Sequence, residues 1–277
     1  MSVEIEGENG SKASVETRGG YVSNLNLIGT PILKPSSDGI ATHGGAALLM
    51  PYANRIRGAT YSFDGKSYRF APNNGNDSIH GFVRDLEWNL VERSDNFVSL
   101  EVQASNEGYP SSINCKEEIE IGDSFAEFRL GILNTGEQPC PAVIGCHPYL
   151  LFDEFWRISS DSDIMKLEVE NGYFPTGNFI EVESGLLSSQ GGKQFDTCYV
   201  SQGKLSMESK SCIVTMERHG MPYFMLYNGS FAGSNSVAIE PMTGAPDAFN
   251  NGIGLSVLEP GAELKCSFAL SLNLKSR

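Results

Sequence analysis

Apolar and polar residues alternate with a period of two along much of the chain, the spacing that places successive side chains on opposite faces of a β-strand. Val98, Leu100 and Val102 alternate with Ser99, Glu101 and Gln103, and Phe128, Leu130 and Ile132 with Glu127, Arg129 and Gly131. Near the C-terminus Leu264, Cys266, Phe268, Leu270, Leu272 and Leu274 carry the alternation through one long strand. Further strands are predicted at 13–17, 21–28, 204–208, 212–217, 222–227 and 236–240. Tyr61-Ser62-Phe63 and Ser67-Tyr68-Arg69-Phe70 flank Asp64-Gly65, a hairpin signal because Gly accepts the positive φ of a primed turn. No segment sustains a helical period, so helices are few and short, with 149–156 the predicted place for one. Gly, Pro, Asn and Ser punctuate the chain without a biased linker or a fixed repeat. The pattern predicts one all-β domain spanning 1–277, a large antiparallel sandwich or barrel with an open face suited to carbohydrates or small polar ligands.

Composition narrows the function. The 277 residues carry 20 Lys plus Arg against 34 Asp plus Glu, a net charge of −14. Such a surface repels phosphate backbones and anionic lipid, so neither nucleic acid nor a membrane is an expected partner. The first residues, Met1-Ser2-Val3-Glu4-Ile5-Glu6, show neither a basic region nor an apolar stretch, and no apolar run approaches a membrane span. The six cysteines lack Cys-x-x-Cys or zinc-like spacing. They read as free thiols of a cytoplasmic protein, with no metal and no cofactor expected.

Four histidines bound the proton chemistry. His43, in Thr-His-Gly-Gly, and His219, in Arg-His-Gly-Met, read as exposed turn residues. His147 follows the apolar Val143-Ile144-Gly145-Cys146 and precedes Pro148, which is expected to end its strand and leave the ring at a sheet edge. A tethered imidazole beside a carboxylate can donate a proton, although a capping or core role fits the position equally. Glu240 likewise precedes a proline, and by the period of two it faces away from Val237 and Ile239, into an open groove or into solvent. Glu259, before Pro260-Gly261, reads as a turn residue. Asn54-Arg55, His80 and Asp196 carry directional donors and acceptors suited to vicinal hydroxyls, though Arg55 could pair with an acid, Asn54 could be a turn residue and Asp196 could cap a turn.

Taken in order, Asn54-Arg55-Ile56, His80-Gly81, Gly145-Cys146-His147-Pro148-Tyr149, Phe195-Asp196, Glu240-Pro241 and Pro246-Asp247-Ala248-Phe249-Asn250 resemble the motif set of the aldose 1-epimerase (galactose mutarotase) family. The resemblance runs from about residue 50 to the C-terminus. It implies a single large antiparallel β-sandwich with sugar in an open cleft, and interconversion of the α and β anomers of a hexose by ring opening and closure. It implies His147 as general acid, Glu240 as general base, and Asn54, Arg55, His80 and Asp196 as the residues holding the sugar. The substrate would be a small-molecule sugar and the protein a monomer or homodimer. Mutual attraction of His147 and Glu240 is expected to favour the charged forms of both.

Three other readings differ in what they require. His80-Gly81 continues as Phe82-Val83-Arg84-Asp85, which is similar to the hexose-6-phosphate 1-epimerase branch and nominates Arg84 and Arg57 for a phosphate. A non-catalytic carbohydrate-binding protein would keep the hydroxyl-binding set alone. A glycoside hydrolase would need a second carboxylate opposite Glu240, for which Asp196 is the candidate.

Overall fold

The computed structural model describes residues 1–183 and 187–275. Two large sheets, of eleven and eight strands, make up most of it. The larger runs in space as Ser2–Glu6, Lys12–Glu16, Tyr21–Leu27, Ala46–Leu49, Gly145–Leu151, Ser236–Met242, Tyr223–Tyr227, Asp196–Val200, Met165–Glu170 and Phe174–Glu181, with Thr30–Pro31 added beside the third. The smaller runs as Asn89–Arg93, Phe97–Ala104, Ile113–Ile121, Phe125–Asn134, Glu263–Leu274, Cys212–His219, Leu205–Glu208 and Arg157–Ser160.

Alternation produces the smaller sheet directly. In Ile113–Ile121 every second residue is buried, and its partner Phe125–Asn134 sets Phe128 opposite Phe268 of the next strand, their rings stacked at 4.4 Å. Such pairs turn one face of the sheet into a continuous apolar layer. One core joins that layer to the larger sheet, with Leu100, Phe128 and Phe268 on one side and Ile5, Val22 and Leu48 on the other. The Asp64-Gly65 hairpin forms as predicted, both turn residues at positive φ between Thr60–Phe63 and Lys66–Arg69. The six cysteines are all buried free thiols.

Two expectations need correction, and one central strand was not predicted. Residues 149–156 form no helix: Tyr149, Leu150 and Leu151 complete the strand Gly145–Leu151, and the one α-helix among the described residues is Ala248–Asn251. Neither Pro148 nor Pro241 ends its strand, because each lies within its strand's ladder-bearing span and costs it a donor rather than its course. Ala46–Leu49, which lacks alternation, is a strand because it is central and buried on both faces. No helix among the described residues is long and apolar enough to cross a membrane.

Glu117 occupies a core-facing position of Ile113–Ile121, fully buried, with neither carboxyl oxygen hydrogen-bonded. Burial pushes its pKa well above the ordinary carboxylate value. A carboxyl that binds its proton more tightly when folded favours the native state below its unfolded pKa, and this advantage is lost as pH rises toward the folded value. Glu117→Met is therefore expected to stabilise the protein by about 1–3 kcal/mol at neutral pH. It should also flatten the fall in unfolding midpoint between pH 5 and pH 8, which urea denaturation across that range would measure. A variant less stable than wild type at pH 8 would contradict this account.

Candidate active site

Gly145–Leu151 and Ser236–Met242 lie side by side in the larger sheet. Their ladder is formed at Gly145–Met242 and at Tyr149–Ala238 and is open between. Pro148 and Pro241, which have no N–H to give, fall in that interval. The same register carried inward sets His147 opposite Glu240. Cys146, Val237 and Ile239 belong to the main core, whereas Tyr149 and Ala238 pack with Tyr227 and Ala232 in a separate small cluster. His147 and Glu240 share that second face, away from the core. There His147 Nε2 lies 3.2 Å from Glu240 Oε1, and the His147 ring stacks on Tyr149 at 4.6 Å.

Loops build the wall over this pair. Asn54 turns the chain at φ 56°, its carbonyl accepts a hydrogen bond from the His80 N–H at 2.9 Å, and His80 itself lies at φ 67°. Gly81 lets this turn close: a Cβ there would meet the Met50 carbonyl oxygen at 1.8 Å. The His80 and His147 rings meet edge to face at 5.4 Å. Arg55 stacks on Tyr173 at 4.2 Å and brings Nη2 within 4.0 Å of Asp196, which opens the strand Asp196–Val200. Asp247 closes the wall from behind. Its N–H donates to the Arg55 carbonyl at 2.8 Å, and its Oδ1 accepts from the Arg57 N–H at 2.9 Å and from Asn250 Nδ2 at 2.7 Å.

The structure gathers His147, Glu240, Asn54, Arg55, His80, Asp196 and Arg84 around one cleft of about 390 Å³. Arg57 is elsewhere, paired with Glu170 and with Asp247. His43, read from the sequence as an exposed turn residue, lines the cleft, as do Tyr227 and Phe231, which no sequence motif singled out. Buried polar atoms without a protein partner collect here: Arg55 Nε, His80 Nδ1, His147 Nδ1 and Glu240 Oε2. A groove of about 480 Å³ on the smaller sheet differs in this respect. Its charges are already satisfied by one another, as in Lys116–Glu118 at 2.7 Å and Arg129–Glu120 at 2.8 Å.

Burial, rather than ion pairing, dominates the proton affinities. It pushes His147 down to about 3 and Glu240 well above the carboxylate range, helped at Glu240 by the negative charge of Asp196. The expectation that both groups favour their charged forms is thus reversed, because desolvation of two fully buried groups outweighs their attraction. Between those limits the pair holds a single proton. Burial also lowers His80, reinforced by the neighbouring positive groups, so its ring is neutral and carries one donor and one acceptor.

The family model for aldose 1-epimerase matches residues 1–271. The chain belongs to the aldose 1-epimerase family. It is 27% identical over 173 residues to the uncharacterised protein YphB of Escherichia coli (strain K12), a match covering 61% of this chain and 58% of that one. It is 28% identical over 109 residues to the aldose 1-epimerase of the same organism, covering 37% of this chain and 31% of that protein. The chain therefore spans less than two thirds of the length of either relative. Among solved structures, an aldose epimerase homologue from C. elegans superposes with a TM-score of 0.85 at 20% identity, covering 100% of this chain and 99% of that one. At that identity the likeness is one of fold, the galactose mutarotase-like antiparallel sandwich.

The hydrogen bonds of Asp247 yield a test of the wall. Asp247→Ala leaves the Arg57 N–H without its acceptor and places alanine at φ 60°, so a loss of about 1–3 kcal/mol is expected. Asp247→Asn keeps an acceptor and tolerates that backbone, and should recover most of the loss in urea unfolding. Equal destabilisation by both variants would show that the carboxylate charge, not the hydrogen bonds, matters there.

Proposed function

We propose that this chain is an aldose 1-epimerase acting on a free hexose, with His147 and Glu240 exchanging protons at the anomeric centre. The observation that supports it best is an imidazole and a carboxyl 3.2 Å apart in a cleft walled by unpartnered polar atoms.

Anomer exchange needs one proton removed from the anomeric hydroxyl and one delivered to the ring oxygen. An anomeric O–H donating to Glu240 Oε2 favours the carboxylate and shifts the shared proton onto His147. Glu240 then takes the O1 proton as the C1–O5 bond breaks, its electrons pass to O5, and His147 protonates O5. The open aldehyde turns about C1–C2. Its O5 hydroxyl attacks the other face of C1, returning its proton to His147 while the carbonyl oxygen regains one from Glu240. The pair ends as it began, with one proton, so the scheme needs no metal or nucleotide. Neutral His80, Arg55, Asn54 and Asp196 would hold the hydroxyls during the turn, since each offers directional hydrogen bonds. For a phosphorylated hexose the cleft offers Arg84, whose Nε lies 3.5 Å from Asp85, but not Arg57. A neutral sugar fits that balance better.

Polarimetry with α-glucose and α-galactose tests the reading. Glu240→Gln and His147→Asn are each expected to lower the rate by about 10²–10⁴-fold while leaving the unfolding transition cooperative. Near-normal rates in either variant would falsify the assignment, and faster anomerisation of glucose 6-phosphate than of glucose would overturn the choice of a neutral substrate.

The pH profile checks the shared proton separately. With His147 held down to about 3 and Glu240 held well above the ordinary carboxyl value, activity should stay level across the range in which a free carboxyl would ionise. It should fall at lower pH as the pair gains a second proton, and at higher pH as it loses its only one. An acid limb at the ordinary carboxyl value with an alkaline limb at the ordinary imidazole value would mean that the pair titrates as separate, solvated groups.

A further inference from the structure

The segment around His43 is fixed to the cleft from several sides. Tyr149, the residue stacked on His147, donates its hydroxyl to the Thr42 carbonyl at 3.0 Å. Gly44 and Gly45 let the chain pass close to its neighbours: a Cβ on Gly44 would meet Ser36 N at 2.3 Å, and one on Gly45 the Val22 carbonyl oxygen at 2.3 Å. Asp38 caps the approach, its Oδ1 accepting from the Ile40 N–H at 3.0 Å and from Ser36 Oγ at 2.9 Å. Its Oδ2 lies 2.7 Å from His43 Nδ1, and that hydrogen bond is the main reason the Asp38 carboxyl is held down at about 2. One face of the imidazole is covered by Phe231, stacked at 3.6 Å with the rings 13° apart. Phe231 in turn is tied to the cleft wall, its N–H donating to the Tyr227 hydroxyl at 3.4 Å.

Such fixing leaves one nitrogen uncommitted. With Nδ1 against Asp38, Nε2 makes no hydrogen bond among the described residues, and the ring lines the cleft with only a fifth of its side chain exposed. The ring is near enough to the reactive pair that its positive form lowers the proton affinity of His147. A ring clamped by a carboxylate, an aromatic plate and a backbone tether is preorganised, and a ligand bonding to it loses little further side-chain freedom.

We propose that His43 is a further substrate-binding residue that hydrogen-bonds a sugar hydroxyl through Nε2, with Asp38 and Phe231 as its positioning residues; this rests on the epimerase reading above. Nε2 accepts in the neutral ring and donates in the charged one. A hydroxyl matches either state, being both donor and acceptor, whereas an anion would match only the charged ring. The residue thus selects for a polyol, and its contribution depends on the orientation of one particular hydroxyl. That makes it a specificity determinant between hexose epimers.

The test pairs a residue change with a substrate change. His43→Phe removes both nitrogens and keeps the stack on Phe231, so the loop retains its anchor, while His43→Gln restores a donor and an acceptor. With the wild-type sugar, His43→Phe should raise KM about tenfold with a smaller change in kcat, and His43→Gln should recover part of that loss. Among the monodeoxy hexoses, the one lacking the contacted hydroxyl should cost the wild type a similar factor and cost His43→Phe almost nothing. A purely structural role would give penalties that multiply for every deoxy sugar. That result, or a KM unchanged within about twofold in His43→Phe, overturns the proposal while wild-type catalysis stands. A wild type that accelerates no aldose sinks the epimerase reading, and this proposal with it.

Discussion

The cleft depends on two neighbouring strands that stop bonding to each other for a short interval. Between Gly145–Met242 and Tyr149–Ala238 the ladder is open, and there His147 faces Glu240. Two prolines keep donors out of that interval, while each strand keeps pairing on its far side, with Ala46–Leu49 and with Tyr223–Tyr227. The geometry of the pair is therefore set by the sheet, the stiffest part of the fold. A separation held by ladder register changes little with side-chain motion, as proton transfer requires.

Burying that pair has a chemical consequence. Walls supplied by the Asn54–Arg55 turn, the His80–Gly81 turn and the His43 loop remove water from both groups, and desolvation then decides their protonation. Glu117 offers an internal comparison. It too is fully buried with its proton affinity raised, but it lies in the core between the sheets, and neither of its carboxyl oxygens has a hydrogen-bond partner among the described residues. The same physical shift is thus a cost to stability in one place and, on the proposed function, a source of exchangeable protons in the other. A perturbed carboxyl points to function when a proton partner and an accessible cavity accompany it.

How much of this could be read along the chain depended on what each signal measures. Strands with one face on the core, such as Ile113–Ile121 and Glu263–Leu274, were legible because alternation records one-sided burial. Ala46–Leu49 was not, because burial on both faces erases it. The prolines were read as terminators because the rule concerns a lost N–H, and nothing local says that a strand with neighbours on both sides can spare one. His147 and Glu240 stood out individually. Their facing was implied by the family resemblance and not by any local pattern, since it follows from a register between segments nearly a hundred positions apart. His43 was misread for the same reason: what makes it a cleft residue is Phe231 and the Tyr149 hydroxyl, both distant in sequence.

Backbone conformation ties the wall to the pair. Asn54, His80 and Asp247 all lie at positive φ, which costs a residue with a side chain about 1–3 kcal/mol unless its surroundings enforce it. Each is enforced by hydrogen bonds to another part of the wall: Asn54 to His80, Asp247 to Arg55 and Arg57. These are links between segments, so none of the three turns can relax without releasing a neighbour. The wall is in this sense a single unit, closed behind by the chain that leaves the Glu240 strand. A ligand entering such a cleft would meet groups already in place and lose less free energy to ordering them. The strain held in the three turns is the counterpart of that readiness, since a wall of relaxed loops would have to be organised at every binding event.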